Sequence, residues 1–271
     1  MISKPHWFKE KQLIGLQLYT VRELIVDDVE DTIAKVAEIG FNSVELFGYA
    51  DGKFFGKTPE QFSAIIKKNG LKTPSGHYVM NDFLLKGDED QMKRTVADAA
   101  KMGHAFFVIP YLQDTMRTSL DDYKKVAEKI NKTAVEAKAA GMKFAYHNHD
   151  FEFKDWGEGK TGMDIFLKET DASLVNFEMD IYWITKADRD PVQMFKAYPG
   201  RFKMWHVKDM ANTPEKEFTE VGSGVIDYQE IFKHTKEAGM EYFFVEQDKV
   251  KIPVYESIGK SLSYIKENIL S

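Results

Sequence analysis

The chain has 271 residues, of which 43% are hydrophobic and 30% are charged, and it carries a formal net charge of −6 at pH 7. A net negative charge without a basic stripe argues against non-specific binding to nucleic acid. The sequence contains no cysteine, which excludes disulfides and thiolate metal ligands, and no run of about 18 apolar residues, which argues against a membrane-spanning helix.

Short apolar runs alternate with amphipathic stretches from residue 13 to the end of the chain. In chain order, the apolar runs that we predict as strands are residues 13–19, 43–47, 71–77, 105–110, 143–147, 175–180, 202–207 and 242–246. The amphipathic stretches that follow them, which we predict as helices, are approximately residues 29–39, 58–69, 89–102, 119–140, 162–167, 191–197, 227–238 and 253–269. Their apolar residues cluster on one helical face, as Ile33, Val36 and Ala37 do in the first of them.

Glycine recurs between a predicted helix and the next strand. The positions are Gly40, Gly70, Gly103, Gly141 and Gly239. Glycine is common at helix ends because it adopts the left-handed conformation without strain. Continuous apolar strands between amphipathic helices indicate a buried parallel sheet. Eight such units predict an α/β fold, a single (β/α)₈ TIM barrel over residues 1–271, with residues 1–11 as an N-terminal tail.

An open, doubly wound parallel sheet is the structural alternative to the barrel. Such a sheet commonly binds a phosphate-containing cofactor through a glycine-rich loop after an early strand. Neither G-x-G-x-x-G nor G-x-x-x-x-G-K occurs in the sequence. The chain length is also typical of one barrel, which commonly has about 250 residues. The pattern therefore favours the closed barrel.

The N-terminal residues carry information about the compartment. Residues 1–12 are too polar for a signal peptide. We therefore expect a cytoplasmic protein, or a periplasmic one if an export signal has been removed. We expect no nucleic-acid or membrane partner, and assembly into homo-oligomers stays open.

Polar side chains lie within or at the end of most predicted strands. From the second strand to the eighth they are Glu45, His77, His147-Asn148-His149, Asp180, His206 and Glu246. In a barrel the C-terminal strand ends meet at one mouth, where active sites form. Carboxylates and imidazoles without sulfur suit Mn²⁺, Mg²⁺, Co²⁺ or Zn²⁺. The pattern predicts a metal site, although Glu45 or His77 alone could equally be a hydrogen-bonded structural residue.

Five segments at these strand ends carry a family resemblance. They are His147-Asn148-His149, Met179-Asp180, His206-Val207-Lys208-Asp209, residues 221–227 and Val245-Glu246. In this order and spacing they resemble the xylose isomerase-like TIM-barrel superfamily of sugar and sugar-phosphate isomerases and epimerases. The resemblance implies one divalent metal ion, Mn²⁺, Mg²⁺, Co²⁺ or Zn²⁺, at the ends of strands five to eight. Carried over position by position, its ligands are His147, Asp180, His206 and Glu246.

Two positions depart from the family pattern. His147 stands where the family usually has glutamate, so only Glu246 remains of the glutamate pair that exchanges a proton in ketose 3-epimerases. Trp183 stands where many relatives carry histidine, which indicates a different pocket in which the indole stacks on a sugar ring. We expect His149, Trp183, Tyr19 and Gln17 to bind a small-molecule sugar substrate.

The resemblance implies an isomerase or epimerase of carbohydrate metabolism that removes a proton next to a metal-polarised carbonyl. Glu246 is the first candidate for the base. His77, Glu45 and Lys208 are candidates for an acid, a second base or an oxyanion partner. The substrate's identity and phosphorylation stay open, and no clear arginine cluster marks a phosphate site.

Three alternatives to an isomerase or epimerase use the same barrel. A dehydratase of the keto-inositol type is the nearest, because the H-x-H of the fifth strand also resembles those relatives. A sugar-binding barrel without catalytic activity belongs to a different class. A DNA-repair nuclease is disfavoured, since the chain offers ligands for one metal ion and has a negative net charge.

Overall fold

The computed structural model describes residues 13–271, so the predicted tail at residues 1–11 lies outside the described residues. Eight parallel strands form a closed barrel in chain order, and the eighth pairs with the first. The barrel strands are Gly15–Gln17 (β1), Ser43–Leu46 (β2), Lys72–His77 (β3), Phe106–Ile109 (β4), Lys143–His147 (β5), Val175–Asp180 (β6), Met204–Val207 (β7) and Tyr242–Val245 (β8). The closed barrel confirms the predicted fold class and excludes the open sheet.

Helices surround the barrel and also occur in the loops at its mouth. The α-helices among the described residues are Arg22–Ile25 (α1), Val29–Ile39 (α2), Pro59–Lys68 (α3), Asn81–Lys86 (α4), Glu89–Met102 (α5), Leu120–Ala139 (α6), Gly162–Glu169 (α7), Ile181–Lys186 (α8), Pro191–Ala197 (α9), Tyr228–Ile231 (α10), Thr235–Ala238 (α11) and Val254–Tyr264 (α12). Within the described residues, none of these helices has both the length and the apolar character needed to cross a membrane.

Shorter elements complete the fold. There are two antiparallel hairpins, Tyr49–Ala50 with Lys53–Phe54 and Asp209–Met210 with Phe218–Thr219. The 3₁₀-helices are Leu18–Val21, Asp114–Met116, Phe151–Phe153 and Phe232–His234, and Ile265–Ile269 is a π-helix. The hairpins and the helices α1, α4 and α8 were not predicted, because such short segments carry no measurable hydrophobic period.

The predicted helix at residues 227–238 is interrupted in the structure. The 3₁₀-helix Phe232–His234 separates α10 from α11. Phe232 is buried, and its ring packs edge-on against Trp205 and Phe243 at centroid distances of 5.3 and 5.1 Å. This contact with two barrel strands accompanies the local tightening of the helix, and sequence periodicity does not report it.

Capping groups set the ends of the regular helices. The Thr58 hydroxyl accepts a hydrogen bond from the Gln61 amide at 3.3 Å, while the Gln61 side chain accepts one from the Thr58 amide at 2.9 Å. This reciprocal pair satisfies two amide groups that α3 would otherwise leave without a partner. Gly40 ends α2 with a φ of 111°, a conformation that glycine adopts more easily than other residues. The sequence prediction of these two boundaries is therefore confirmed.

An apolar layer fills the barrel interior below the mouth. Its buried members are Phe106, Val108, Ala145, Met204 and Phe244. Alternate residues of a strand share one side, so Ala145, Met204 and Phe244 lie on the same side as His147, His206 and Glu246 respectively. The polar strand ends therefore stand above an apolar floor. Gly15 makes room for it, since a Cβ atom there would lie 2.1 Å from the Phe244 ring.

A buried carboxylate organises the loop after β7. Asp209 accepts hydrogen bonds from the backbone amides of Met210 at 2.8 Å, Gly222 at 2.8 Å, Gly224 at 3.1 Å and Ile226 at 3.2 Å. A Cβ atom at Gly224 would lie 2.3 Å from Asp209 Oδ1, so the loop can close on the carboxylate only through glycine. The Asp209 side chain thus satisfies four backbone donors of one irregular segment.

We expect Asp209→Asn to destabilise the protein by roughly 1–3 kcal/mol, because the amide group turns a donor toward buried backbone donors. Urea unfolding followed by circular dichroism measures this change. Asp28→Asn is the matched control, since Asp28 is an exposed N-cap that accepts from the Asp31 amide at 2.9 Å and asparagine caps equally well. Equal and small losses in both variants would contradict the structural role of Asp209.

His104 is a buried histidine outside the polar cluster of the mouth. Its Nε2 lies 3.2 Å from the Thr73 hydroxyl and its Nδ1 lies 3.0 Å from the Tyr78 hydroxyl. Burial lowers the pKa of His104 from its usual 6.5 to about 3. The folded protein therefore keeps this imidazole neutral at pH values where the unfolded chain protonates it.

We predict a pH-dependent loss of stability from His104. Because the pKa is 6.5 in the unfolded chain and about 3 in the folded protein, its contribution is complete above pH 6.5 and is lost as the pH falls toward 3. The loss approaches about 1.4 kcal/mol per pH unit. Unfolding free energies of the wild type and His104→Gln between pH 7 and pH 5 test this, and parallel pH profiles would contradict it.

Candidate metal centre

The polar side chains of the strand ends converge inside the mouth of the barrel. The buried members are Glu45, His77, His147, Glu178, Asp180, His206, Lys208 and Glu246. Register explains part of this convergence, since Asp180 of β6 lies opposite His206 of β7. Side chains from strands β2, β3, β5, β6, β7 and the end of β8 therefore meet in one place.

Three of the predicted ligands form a group that we call the mouth set, namely Asp180, His206 and Glu246. One donor atom from each lies within 4.8 Å of the others. His206 Nδ1 is 2.6 Å from Glu246 Oε2. The fourth predicted ligand is adjacent, because His147 Nε2 lies 3.6 Å from Asp180 Oδ2. The structure thus brings together all four residues predicted as ligands.

Lys208 lies between the carboxylates of the mouth set. Its ammonium nitrogen is 2.8 Å from Asp180 Oδ2 and 2.6 Å from Glu246 Oε2. A third carboxylate, Asp248, lies 3.1 Å from the same nitrogen. Asp248 was not predicted, because it follows the end of β8 in a loop whose path the sequence does not define.

Deeper in the barrel lie two carboxylates that we call the inner carboxylates, Glu45 and Glu178. Glu178 Oε2 is 2.8 Å from His77 Nε2, 3.2 Å from His147 Nδ1 and 3.3 Å from His206 Nε2. Glu45 Oε2 is 2.6 Å from His206 Nε2 and 3.2 Å from His77 Nε2. His77, His147, Glu178 and His206 also satisfy the distance requirement for a metal site.

Two further side chains hold Glu45 in place. Gln17 Nε2 donates to Glu45 Oε2 at 2.8 Å, and the Ser75 hydroxyl donates to Oε1 at 2.6 Å. Gln17 also accepts from the Tyr19 amide at 3.1 Å, so both ends of its amide are engaged. In this structure Gln17 is buried against Glu45, and its role in substrate binding stays a prediction.

Glu178 is the main residue of the cluster that sequence reasoning missed. The prediction for the sixth strand considered only its terminal residue, Asp180. Glu178 precedes Asp180 by two positions and therefore lies on the same side of the strand. This spacing of two residues is visible in the sequence, and it predicts that a second carboxylate of the same strand faces the barrel interior.

The charges of the mouth set stabilise one another. Burial alone would lower the pKa of His206, but the carboxylates of Glu178 and Glu246 outweigh it and raise this pKa well above its usual value. Burial would also lower the pKa of Lys208, but Asp180 and its acidic neighbours raise it well above its usual range. Conversely, burial would raise the pKa of Glu246, yet Lys208 and His206 hold it well below its usual value. Glu246 therefore lies between two groups whose positive charge favours its ionised form.

The other histidines differ in charge. Burial lowers the pKa of His147 well below its usual value and that of His149 to about 3, so both imidazoles are neutral near pH 7. Burial acts in the same direction on His77, but Glu45 and Glu178 outweigh it and raise its pKa to about 9. A neutral imidazole carries one nitrogen with a free lone pair, which is the form that binds a metal ion.

Two of the residues predicted to bind substrate lie beside the cluster. The rings of His149 and Trp183 are 5.5 Å apart, and the Lys208 ammonium group is 6.0 Å from the Trp183 ring. The buried atoms His149 Nδ1 and Trp183 Nε1 have no hydrogen-bond partner among the described residues. Tyr19 is 39% exposed and packs edge-on against Phe47 at 5.3 Å. The substrate contacts of all three stay a prediction.

Glu152 supports the loop that carries His149. It accepts hydrogen bonds from the Tyr146 hydroxyl at 2.6 Å and from the His149 amide at 2.7 Å. Glu152 is fully buried, and burial raises its pKa to about 7. Its contacts are therefore with the loop, and it belongs to neither of the two ligand groups described above.

The donor set fits a divalent metal ion. Buried carboxylate oxygens and imidazole nitrogens meet within a few ångströms, and no sulfur ligand is present. Such mixed donors suit Zn²⁺, Mn²⁺ or Co²⁺. Lys208 supplies positive charge at the same carboxylates, and Asp248 is the third carboxylate that its ammonium group contacts. Asp180, His206 and Glu246 have donor atoms close enough to share one ion, and His147 lies adjacent to them.

A family model described as the xylose isomerase-like TIM barrel matches residues 33–268. The chain is 30% identical over 169 residues to a protein named inosose dehydratase from Clostridium beijerinckii, and this match covers 54% of the chain and 55% of that relative, about half its length. A match with a protein of the same name from Clostridium botulinum is 28% identical and covers 88% of the chain and 89% of that relative.

One solved structure is similar over nearly the whole barrel. It is a crystal structure of a sugar phosphate isomerase/epimerase from Parabacteroides distasonis, with a TM-score of 0.82 and 29% sequence identity. The similarity covers 96% of this chain and 95% of that one. The barrel, including the strands that carry the polar cluster, is thus shared with that protein.

We predict that Glu246→Gln weakens the binding of Zn²⁺ or Mn²⁺ by more than the roughly 10–100-fold that loss of an outer partner causes. The substitution preserves shape but removes a charged oxygen from the mouth set. Competition with a chromogenic chelator measures the affinity. Glu152→Gln is the matched control, because Glu152 is equally buried and the Tyr146 hydroxyl can accept from the new amide. Equal affinity in both variants would contradict the assigned ligand set.

Proposed function

The chain belongs to the xylose isomerase-like TIM barrel family, and we propose that it is a metal-dependent sugar isomerase or epimerase. In this proposal the enzyme removes a proton next to the carbonyl group of a polyhydroxylated substrate. The observation that carries this proposal is the position of Glu246. Its buried carboxylate contacts His206 at 2.6 Å and Lys208 at 2.6 Å, at the common end of the strands. A base, a cation and metal ligands thus share one site.

His147, Asp180, His206 and Glu246 would hold the metal ion. When bound there, a divalent ion supplies a Lewis acid that polarises the substrate carbonyl and acidifies the neighbouring C–H bond. The donor atoms come from four different strands, so the barrel itself sets their spacing. The ordered, buried position of these side chains reduces the reorganisation that catalysis would require.

Glu246 accepts the proton in this proposal. Its carboxylate is ionised, since Lys208 and His206 outweigh the effect of burial on its pKa. The ammonium group of Lys208 also contacts Asp180 at 2.8 Å and Asp248 at 3.1 Å, so it keeps two carboxylate partners when Glu246 takes up the proton. Delivery of the proton to the neighbouring carbon, while a hydroxyl proton passes to the former carbonyl oxygen, gives isomerisation. Delivery of a proton to the opposite face of the same carbon, which requires a second acid–base group, gives epimerisation.

Lys208 and the two unpartnered nitrogens bind the substrate oxygens in this proposal. The Lys208 ammonium group donates to the oxygen on which negative charge develops. His149 Nδ1 and Trp183 Nε1 are buried atoms without a partner among the described residues, and substrate hydroxyl groups can satisfy them. Neighbouring hydroxyl groups are characteristic of sugars and cyclic polyols, which supports this substrate class.

Dehydration is the second candidate reaction at the same site. It is favoured by His147, which stands where the family usually has the second glutamate of two-base epimerisation. The relatives named inosose dehydratase point in the same direction. In that reaction Glu246 takes the proton from carbon, the C–O bond to the β-hydroxyl breaks, and Lys208 supplies the proton with which the hydroxyl leaves as water.

The two reactions differ in products that are easily measured. We expect incubation of the metal-loaded protein with keto sugars and keto-inositols in D₂O to show exchange at the carbon next to the carbonyl group by proton NMR. Isomerisation or epimerisation conserves the substrate's composition, whereas dehydration releases water and creates a conjugated carbonyl with new ultraviolet absorbance. A protein that binds these compounds without exchange or water loss would instead be a sugar-binding barrel, and the proposed activity would be wrong.

On the substrate identified in this way, we expect Glu246→Gln to lower kcat by about 10²–10⁴-fold, the usual contribution of a general base. Glu241→Gln is the control, because Glu241 lies before β8 at the opposite end of the barrel and pairs with Lys143 at 2.6 Å. Circular dichroism verifies that both variants fold. Full activity of Glu246→Gln at saturating metal would exclude Glu246 as the base.

A further inference from the structure

We propose that Glu178 is a positioning residue that fixes the ring of His147 so that its Nε2 atom presents a free lone pair to the mouth set. This inference rests on the metal site of the proposed function, and it assigns a role to a carboxylate that the reaction itself does not use. The two nitrogens of His147 have different surroundings. Nδ1 lies 3.2 Å from Glu178 Oε2, whereas Nε2 lies 3.6 Å from Asp180 Oδ2.

A neutral imidazole has one N–H donor and one acceptor nitrogen. A carboxylate can only accept, so the hydrogen bond to Glu178 places the proton of His147 on Nδ1. The lone pair then lies on Nε2, which faces Asp180. Hydrogen bonds from the distal nitrogen of a ligating histidine to a carboxylate commonly set the tautomer and the orientation of the ring.

Glu45 has the equivalent position relative to His206. His206 Nε2 is 2.6 Å from Glu45 Oε2, and its Nδ1 is 2.6 Å from Glu246 Oε2. One nitrogen of the ring therefore faces an inner carboxylate and the other faces the mouth set. Gln17 and Ser75 in turn donate hydrogen bonds to Glu45. The hydrogen-bond network therefore extends beyond the residues that would bind the metal ion.

Depth in the barrel separates Glu178 from the mouth set. Glu178 precedes Asp180 by two residues on β6, which corresponds to about 6.6 Å along a strand. Its Oε2 atom is shared by three imidazoles, those of His77, His147 and His206. Glu178 thus contacts three rings of the cluster from a strand position two residues before Asp180.

One oxygen of Glu178 makes no hydrogen bond within the described part of the chain, so the carboxylate can be replaced by an amide without losing the contacts of the other oxygen. Glu178 Oε1 has no hydrogen-bond partner among the described residues. In Glu178→Gln the amide nitrogen can take that position, and the remaining oxygen still faces the imidazoles. The variant therefore removes the negative charge with little change in shape, and Glu178→Leu removes both the charge and the acceptor.

The test measures metal affinity and the histidine tautomer without any substrate. We expect Zn²⁺ affinity to fall about 10-fold in Glu178→Gln and up to about 100-fold in Glu178→Leu, as for other outer partners of metal ligands. Glu152→Gln should stay within about twofold of the wild type, because it removes a buried carboxylate that contacts no ring of the cluster. The visible spectrum of the Co²⁺ form should shift in the two Glu178 variants but not in the control.

A second measurement does not depend on the Glu178 variants. In ¹⁵N-histidine-labelled, metal-free wild type, we expect the His147 signal to show a proton on Nδ1, with the signal assigned by its loss in His147→Gln. A proton on Nε2, or unchanged affinity in folded Glu178 variants, overturns the positioning role.

Two zinc ions per chain, with one lost in Glu178→Leu, would also overturn it, since Glu178 would then be a ligand. A wild type that binds no divalent ion overturns the proposed function, whereas the tautomer still decides the role of Glu178.

Discussion

The compensation of buried charge is the constraint on which this site depends. Glu45, Glu178, Asp180 and Glu246 are all buried, and an isolated carboxylate in such surroundings is strongly destabilised. Each is paired with a cation or a hydrogen-bond donor, chiefly His206, His77 and Lys208. Such a network is costly to break, because removing one member leaves its partner buried and uncompensated. This cost explains why the side chains hold the positions that chemistry requires.

The barrel architecture brings the side chains of this network together. Parallel strands end at a common mouth, and side chains at alternate positions point to the same side. The apolar layer of Phe106, Met204 and Phe244 closes the interior below the charges. The polar cluster therefore lies above an apolar layer in buried surroundings, where electrostatic interactions are stronger than in water. In the proposed reaction these surroundings suit Glu246 as the base, because its neighbours are already ordered.

The histidine side chains connect the mouth set to the inner carboxylates. The mouth set contains the groups that act on substrate in the proposed reaction, and the inner carboxylates determine how the imidazoles face them. His206 belongs to both layers, since its two nitrogens contact Glu45 and Glu246 at 2.6 Å each. Lys208 links the mouth set to Asp248 in the loop after β8. The proposed reaction class rests on the mouth set, whereas the choice among isomerisation, epimerisation and dehydration depends on which groups stand opposite Glu246.

The sequence by itself determined the eight strand–helix units, their approximate bounds and the polar residues at the strand ends, because hydrophobic period and glycine position are local properties of the chain. It also placed His147, Asp180, His206 and Glu246 in one predicted site. Only the tertiary structure decided that Glu178 lies between three imidazoles, that Lys208 reaches both Asp180 and Glu246, and which nitrogen of each ring faces the mouth. These contacts join residues as far apart as Glu45 and His206, separated by 161 positions. The alternation of side chains along a strand indicates which of them face the barrel interior. Which residue each one contacts across the barrel depends on how the barrel closes, on the strand register and on the side-chain rotamer.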